Sequence, residues 1–202
     1  MLNFIASPIG FSVLLSFFMA GALGSLIFQK NDRLANVWSG LFASVGSLWG
    51  LFFSSLILLG SLSVSWAVSN PSFSLLSVVF NIDKLSAFFI FVISLITLFC
   101  SFYGVGYVKH FYKKYNIGIL GLFFNFFVIG MLLVVSAANG IFWLIAWEIM
   151  SVASYFLVVY DRDDQENVKA GFLYLVMTHV GTIFIIISFS CFINLPAHLI
   201  SL

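Results

Sequence analysis

Six stretches of this chain run for twenty or more residues with almost no charge, and short polar segments separate them. They span residues 4–28, 34–59, 85–108, 117–138, 141–160 and 170–193. About 20 apolar residues suffice to cross a bilayer as one helix. None of the six alternates apolar and polar positions over short segments, as a membrane β-barrel requires. The pattern predicts an all-α, polytopic membrane helix bundle of about six transmembrane helices.

The charges between the runs add a direction. Lys30 and Arg33 follow the first run, Lys109, Lys113 and Lys114 the third, and Arg162 and Lys169 the fifth, while Lys84 alone marks the other side. Cytoplasmic loops carry the excess of Lys and Arg, so the amino end is expected outside. No Lys or Arg precedes the first run, which therefore reads as a span and not as a secretory signal. The carboxyl end, residues 194–202, is expected outside as well.

The connections have their own signatures. Residues 60–84 form the longest, with repeated Ser, Trp66 and an Asn70-Pro71 break, and are expected to lie along the outer interface. Asp83 stands just before the third run, where a carboxylate caps exposed helix N–H groups; an ion-entry role is the alternative. Residues 109–115, KHFYKKY, mix cations with aromatics as interfacial anchors do. Small-residue spacings, Ser16, Ala20 and Gly24, then Gly46 and Gly50, predict close helix packing in the first two spans.

Composition narrows the class further. With 62% hydrophobic and 7% charged residues, the chain has too little polar surface to cover a soluble core. Its net charge of +1, with cations confined to helix ends, argues against a nucleic-acid partner. The lipid bilayer is the partner it does imply. Cys100 and Cys191 lie within spans and read as small packing residues, and no metal or iron–sulfur spacing occurs. No cofactor and no metal is expected in this chain.

One residue breaks the pattern. Of seven acids, six fall at or between run ends, whereas Glu148 sits in the middle of IFWLIAWEIMSVASYFLVVY. An acid at mid-membrane depth opposes insertion by about 2.5–3.5 kcal/mol on insertion scales for Asp, and such residues usually face a bundle interior or a wet cavity. Ser151 and Tyr155, at i+3 and i+7, share its face. In the sixth run Thr178, His179 and Thr182 form a second polar group. Glu148 lies roughly 18 Å and His179 roughly 14 Å from the inner ends of their expected helices. A carboxylate and an imidazole at matched depth form a candidate proton relay, the alternative for His179 being a structural hydrogen bond. Lys169, at the start of the sixth run, is expected to snorkel to water.

WEIMSVASYFLVVY, followed some twenty residues later by YLVMTHVGT, resembles the antiporter-like membrane subunits of complex I, Mrp-type antiporters and membrane-bound hydrogenases. The nearest likeness is to the hydrogenase-4 and formate hydrogenlyase type. IDKLSAFF at the third run resembles that family's Asp-x-Leu-Ser segment, and the likeness covers residues 81–193. It implies a first section, residues 1–80, of two spans and an outer loop, and a second, 81–202, that begins the proton-translocating domain.

The resemblance also implies protons relayed through the fifth-span glutamate, matched here by Glu148. Electron transfer would occur in partner subunits: other membrane subunits and a peripheral redox arm, in the inner membrane. Where complex I members tend to hold Arg and Asp, this chain has His179 and Thr182, which favours the hydrogenase or Mrp branches. The family's bundle is longer, with a membrane lysine beyond the sixth span, so this chain reads as an N-terminal fragment, a truncated product or one part of a split subunit. The expected function is a proton-translocating subunit of a hydrogenase, formate hydrogenlyase or complex-I-like oxidoreductase, with no redox centre of its own. The alternatives are a subunit of a cation/proton antiporter and a non-transporting membrane scaffold.

Overall fold

The structure, a computed structural model, describes residues 7–60, 63–68 and 78–193. Its helices are α1 (Pro8–Ile27), α2 (Asp32–Leu59), α3 (Lys84–Tyr107), α4 (Ile117–Ser136), α5 (Gly140–Val158) and α6 (Gln165–Ile193). All six are long and apolar enough to cross a membrane, so the chain is a multi-pass membrane protein with helical spans, as its hydropathy predicts. The first expected span begins at residue 4, and residues 4–6, the Asn70-Pro71 break and the carboxyl end lie outside the described residues. The chain divides into two compact units, residues 1–157 and 158–202.

Side-chain amides and carboxylates set several helix starts in the first unit. Asn31 Oδ1 accepts from the Leu34 N–H (3.3 Å) at α2 and Asn116 Oδ1 from the Ile119 N–H (3.3 Å) at α4. Asp83 Oδ1 accepts from the Ser86 N–H (2.8 Å) at α3, the cap its position suggests. α1 starts without a side-chain acceptor, and Pro8 in its first turn has no N–H to satisfy.

Within this unit α2 packs along both α1 and α3, and α4 lies against α1. Small residues permit the approach. Gly24 underlies the Trp38 indole, Gly46 meets Phe17 and Phe18, and Gly50 meets Leu14 and Ser94. The small-residue reading therefore holds for these three but not for Ser16, which is exposed and returns its hydroxyl to the Ser12 carbonyl. Gly21, Ser25 and Gly118 carry the α1–α4 contact instead. Ser25 Oγ donates to the Gly118 carbonyl (3.0 Å), and Gly21 leaves room for the amide of Asn125. Asn125 is wholly buried in α4 and donates from Nδ2 to Ser39 Oγ (2.8 Å) on α2.

The expected loop between α2 and α3 contains a hairpin: β1 (Val64–Val68) pairs antiparallel with β2 (Val78–Ile82), Trp66 opposite Phe80. Period-two alternation explains it. Val64, Phe80 and Ile82 are buried, while Ser63, Ser65 and Asn81 are exposed. Trp66 stacks on Phe80 (4.5 Å between centroids), and Phe11, Phe80 and Phe142 continue the aromatic cluster across the ends of α1 and α5.

At the opposite end, a 3₁₀ turn (Val108–Phe111) leads from α3 toward α4. Lys113 adopts φ 63°, a left-handed conformation that is uncommon outside glycine. Its N–H donates to Asp32 Oδ2 (2.8 Å), and Asn36 donates to both the Val105 carbonyl (2.9 Å) and the Tyr112 hydroxyl (2.8 Å). The aromatic and cationic segment is thus tied to the first two turns of α2.

Candidate functional site in the fifth helix

α5 begins where Asn139 Oδ1 accepts from the Ile141 N–H (2.9 Å). Just before it, the Ala138 N–H donates to the Val79 carbonyl of β2 (2.9 Å), and Phe80 and Ala137 pair as a bridge. One face of α5 lies on α4. Gly130 sits under Met150, where a Cβ would come within 2.8 Å of the Met150 Cα. Phe123 stacks on Phe156 at 4.3 Å.

Glu148 is half-buried near the midpoint of this helix. At about 100° per residue, Trp147, Ser151, Tyr155 and Glu148 fall on one arc of about 100°. Ile145, Ile149, Val152 and Phe156 occupy the facing side and are exposed. The helix is therefore split into a lipid-compatible face and a polar arc. Ser151 is buried at 1% exposure, and Tyr155 is half-buried.

Trp147 belongs to this arc, although its residue type places it in the apolar run. Its ring stacks on Trp143 (5.2 Å), and its Nε1 is buried with no hydrogen-bond partner among the described residues. The legible signal was its spacing, four residues before Ser151.

In the second unit, α6 carries the other polar group. Thr178 Oγ1 donates to the Tyr174 and Leu175 carbonyls (both 2.9 Å), and Thr182 Oγ1 donates to the Thr178 carbonyl (3.0 Å). These hydroxyls are turned onto their own helix. His179 is exposed, with Nδ1 at 2.9 Å from the Leu175 carbonyl, the geometry of an Nδ1–H donor. A carbonyl can only accept, so Nδ1 carries a proton in this contact. Lys169 is exposed in the first turns of α6.

The expected residues thus fall in three places. Glu148, Ser151 and Tyr155 share α5, Thr178, His179 and Thr182 share α6, and Asp83 caps α3. The Ser86 N–H, followed by its hydroxyl, holds the Asp83 carboxyl below its ordinary value. Among the described residues no three His, Cys, Asp or Glu side chains gather as metal ligands would.

Six long apolar helices, one of them carrying a central carboxyl group, define a multi-pass membrane protein. Residues 137–199, which include both polar groups, match the family described as NADH:quinone oxidoreductase/Mrp antiporter, TM.

The relatives are more particular. The chain is 32% identical to hydrogenase-4 component B of Escherichia coli (strain K12), over 85% of this chain and 25% of that protein. It is 27% identical to formate hydrogenlyase subunit 3 of the same strain, over 86% of this chain and 26% of that one. It is also 28% identical to a putative antiporter subunit of Staphylococcus aureus (strain MRSA252), over 64% of this chain and 15% of that protein. The chain is therefore homologous to antiporter-like membrane subunits, and it spans about a quarter of the length of the first two.

Proposed function

We propose that this chain is the acid-bearing part of a proton-translocating membrane subunit, of the hydrogenase or formate hydrogenlyase kind, in which Glu148 takes up and releases the proton. The single observation that carries the reading is a carboxylate at the middle of a spanning helix, within the segment that matches the antiporter family. A charge so placed is costly, and such residues mark ion and proton paths.

The remaining residues take supporting roles. His179, an imidazole within the α6 span, is the second member of the proposed relay. Ser151 and Tyr155 extend the polar arc around Glu148, while Thr178 and Thr182 shape the helix that carries His179. Lys169 and Asp83 lie at helix ends, where ions enter or leave. Residues 81–202 form the start of the translocating domain and 1–80 precede it. The names of the relatives, a component and a subunit, support membership of a larger assembly. To it this reading adds other membrane subunits, a peripheral redox arm holding the cofactors and a place in the inner membrane, with the amino end outside on the cation bias.

A second reading, a subunit of a cation/proton antiporter, draws support from the likeness to the putative antiporter subunit. Measured in membrane vesicles, Glu148→Gln is expected to reduce coupled proton movement at least tenfold while the complex still assembles. Unchanged proton movement would sink both readings and favour a scaffold. Proton movement that requires sodium would favour the antiporter.

A further inference from the structure

Two other indoles and several buried serines of this fold find acceptors within it, although among the described residues the buried hydroxyls of Ser47 and Ser94 do not. Trp38 Nε1–H donates to the Ala20 carbonyl (3.1 Å) and Trp49 Nε1–H to the Gly10 carbonyl (2.9 Å). Buried serines return their hydroxyls to carbonyls one turn back: Ser54 to Gly50 (2.7 Å), Ser101 to Thr97 (2.7 Å) and Ser136 to Leu132 (2.8 Å). On α5 an indole N–H and a serine hydroxyl without partners occur together. Trp147 Nε1 and Ser151 Oγ are buried, and neither has a hydrogen-bond partner among the described residues.

Their spacing makes the coincidence specific. The two residues are four apart, so they differ by about 40° around the helix and by about 6 Å along it. Unpaired polar groups on one helix face are the kind that a single buried water bridges. The indole can only donate, whereas the hydroxyl can donate and accept. A water oxygen accepting from Trp147 and bonded to Ser151 satisfies both groups, and buried waters normally have two to four such partners. Ser151 is also three residues from Glu148, so the same arc brings the acid within one turn.

We propose that Trp147 Nε1 and Ser151 Oγ hold a single water molecule beside Glu148, and that both are positioning residues for proton exchange with its carboxyl group. The water site stands on the two buried donors alone. Its proton role rests on the reading of Glu148 given above.

The test uses the purified membrane complex that contains the chain. Ultraviolet resonance Raman difference spectra, wild type minus Trp147→Phe, isolate the N–H bending band of this indole. The expected band lies at the hydrogen-bonded position and moves to the unbonded position in Ser151→Ala. An unbonded band in the wild type overturns the water site, as does a bonded band that Ser151→Ala leaves in place. Should Trp147→Phe fail to accumulate, the difference between wild type and Ser151→Ala gives the same reading.

Proton movement separates the two layers. Ser151→Ala is expected to slow it several-fold and Ser151→Thr to restore it. An unchanged rate in Ser151→Ala, with Glu148→Gln inactive, overturns the positioning role. If Glu148→Gln itself keeps its rate, the function of Glu148 fails, while the Raman signature still decides whether the water is there.

Discussion

Gly118 sets how closely α1 and α4 approach. A Cβ there would fall 2.5 Å from the Ser25 carbonyl oxygen and 3.0 Å from the Gln29 Cα, both backbone atoms that cannot rotate away. Gly118→Ala is therefore expected to destabilise the subunit by about 1–3 kcal/mol, the usual range for overpacking. A Cβ at Gly104 would meet nothing within 4 Å, so Gly104→Ala should be neutral or stabilising by up to ~1 kcal/mol. Thermal unfolding in detergent checks the pair; equal effects at both positions would refute the packing account. At this scale the sequence was informative about charge and less so about partners. Glu148 stood out because it alone among the acids interrupts an apolar run. Trp147 did not, since hydropathy counts an indole as apolar and is blind to whether its N–H finds an acceptor. Asn125 escaped notice for a related reason: one amide hardly alters the average of its run, yet it links α4 to α2.

Between elements, Gly130 and Met150 join α4 to the helix that carries Glu148. Gly130→Ala would push against the Met150 backbone at 2.8 Å, two residues from the acid. It is expected to slow proton movement while leaving helix content unchanged, measured by vesicle acidification alongside circular dichroism. Asp83 offers a pH test. Its folded-state value is lowered by the Ser86 contacts, so its contribution is present above the ordinary carboxylate value and is lost as pH falls through the lowered one. Pulsed hydrogen exchange should show the first turn of α3 fraying on acidification, and Asp83→Ala should show that fraying at neutral pH already. Six helices were legible because each run is long. The hairpin was less so, because ten strand residues inside a mixed Ser and apolar connection look like an interfacial loop. Only the alternation around Val64 and Trp66, and again at Phe80 and Ile82, distinguishes the two.

For the whole molecule, the cation bias makes a topological prediction. Seven of the eight Lys and Arg residues follow the first, third and fifth spans. In a background with Cys100 and Cys191 replaced, Ser65→Cys should react with an impermeant maleimide in intact cells. Lys109→Cys should react only after the membrane is opened. The reverse pattern would invert the assigned orientation. The sequence also carried the family likeness, through contiguous motifs in α5 and α6. It could not show how far each hydroxyl in those motifs is committed to its own helix, since that depends on rotamer and surroundings at Thr178, Thr182 and Ser151.

The hairpin has a mechanical consequence. By pairing with residues 137 and 138, β2 pins the point from which α5 starts. A rod fixed at one end can only swing, and its fulcrum here lies just ahead of Gly140. Glu148 is about 12 Å along the rod and Leu157 about 26 Å. Any tilt of α5 then displaces the acid by a little under half as much as the far end, so large excursions there arrive at the carboxylate geared down.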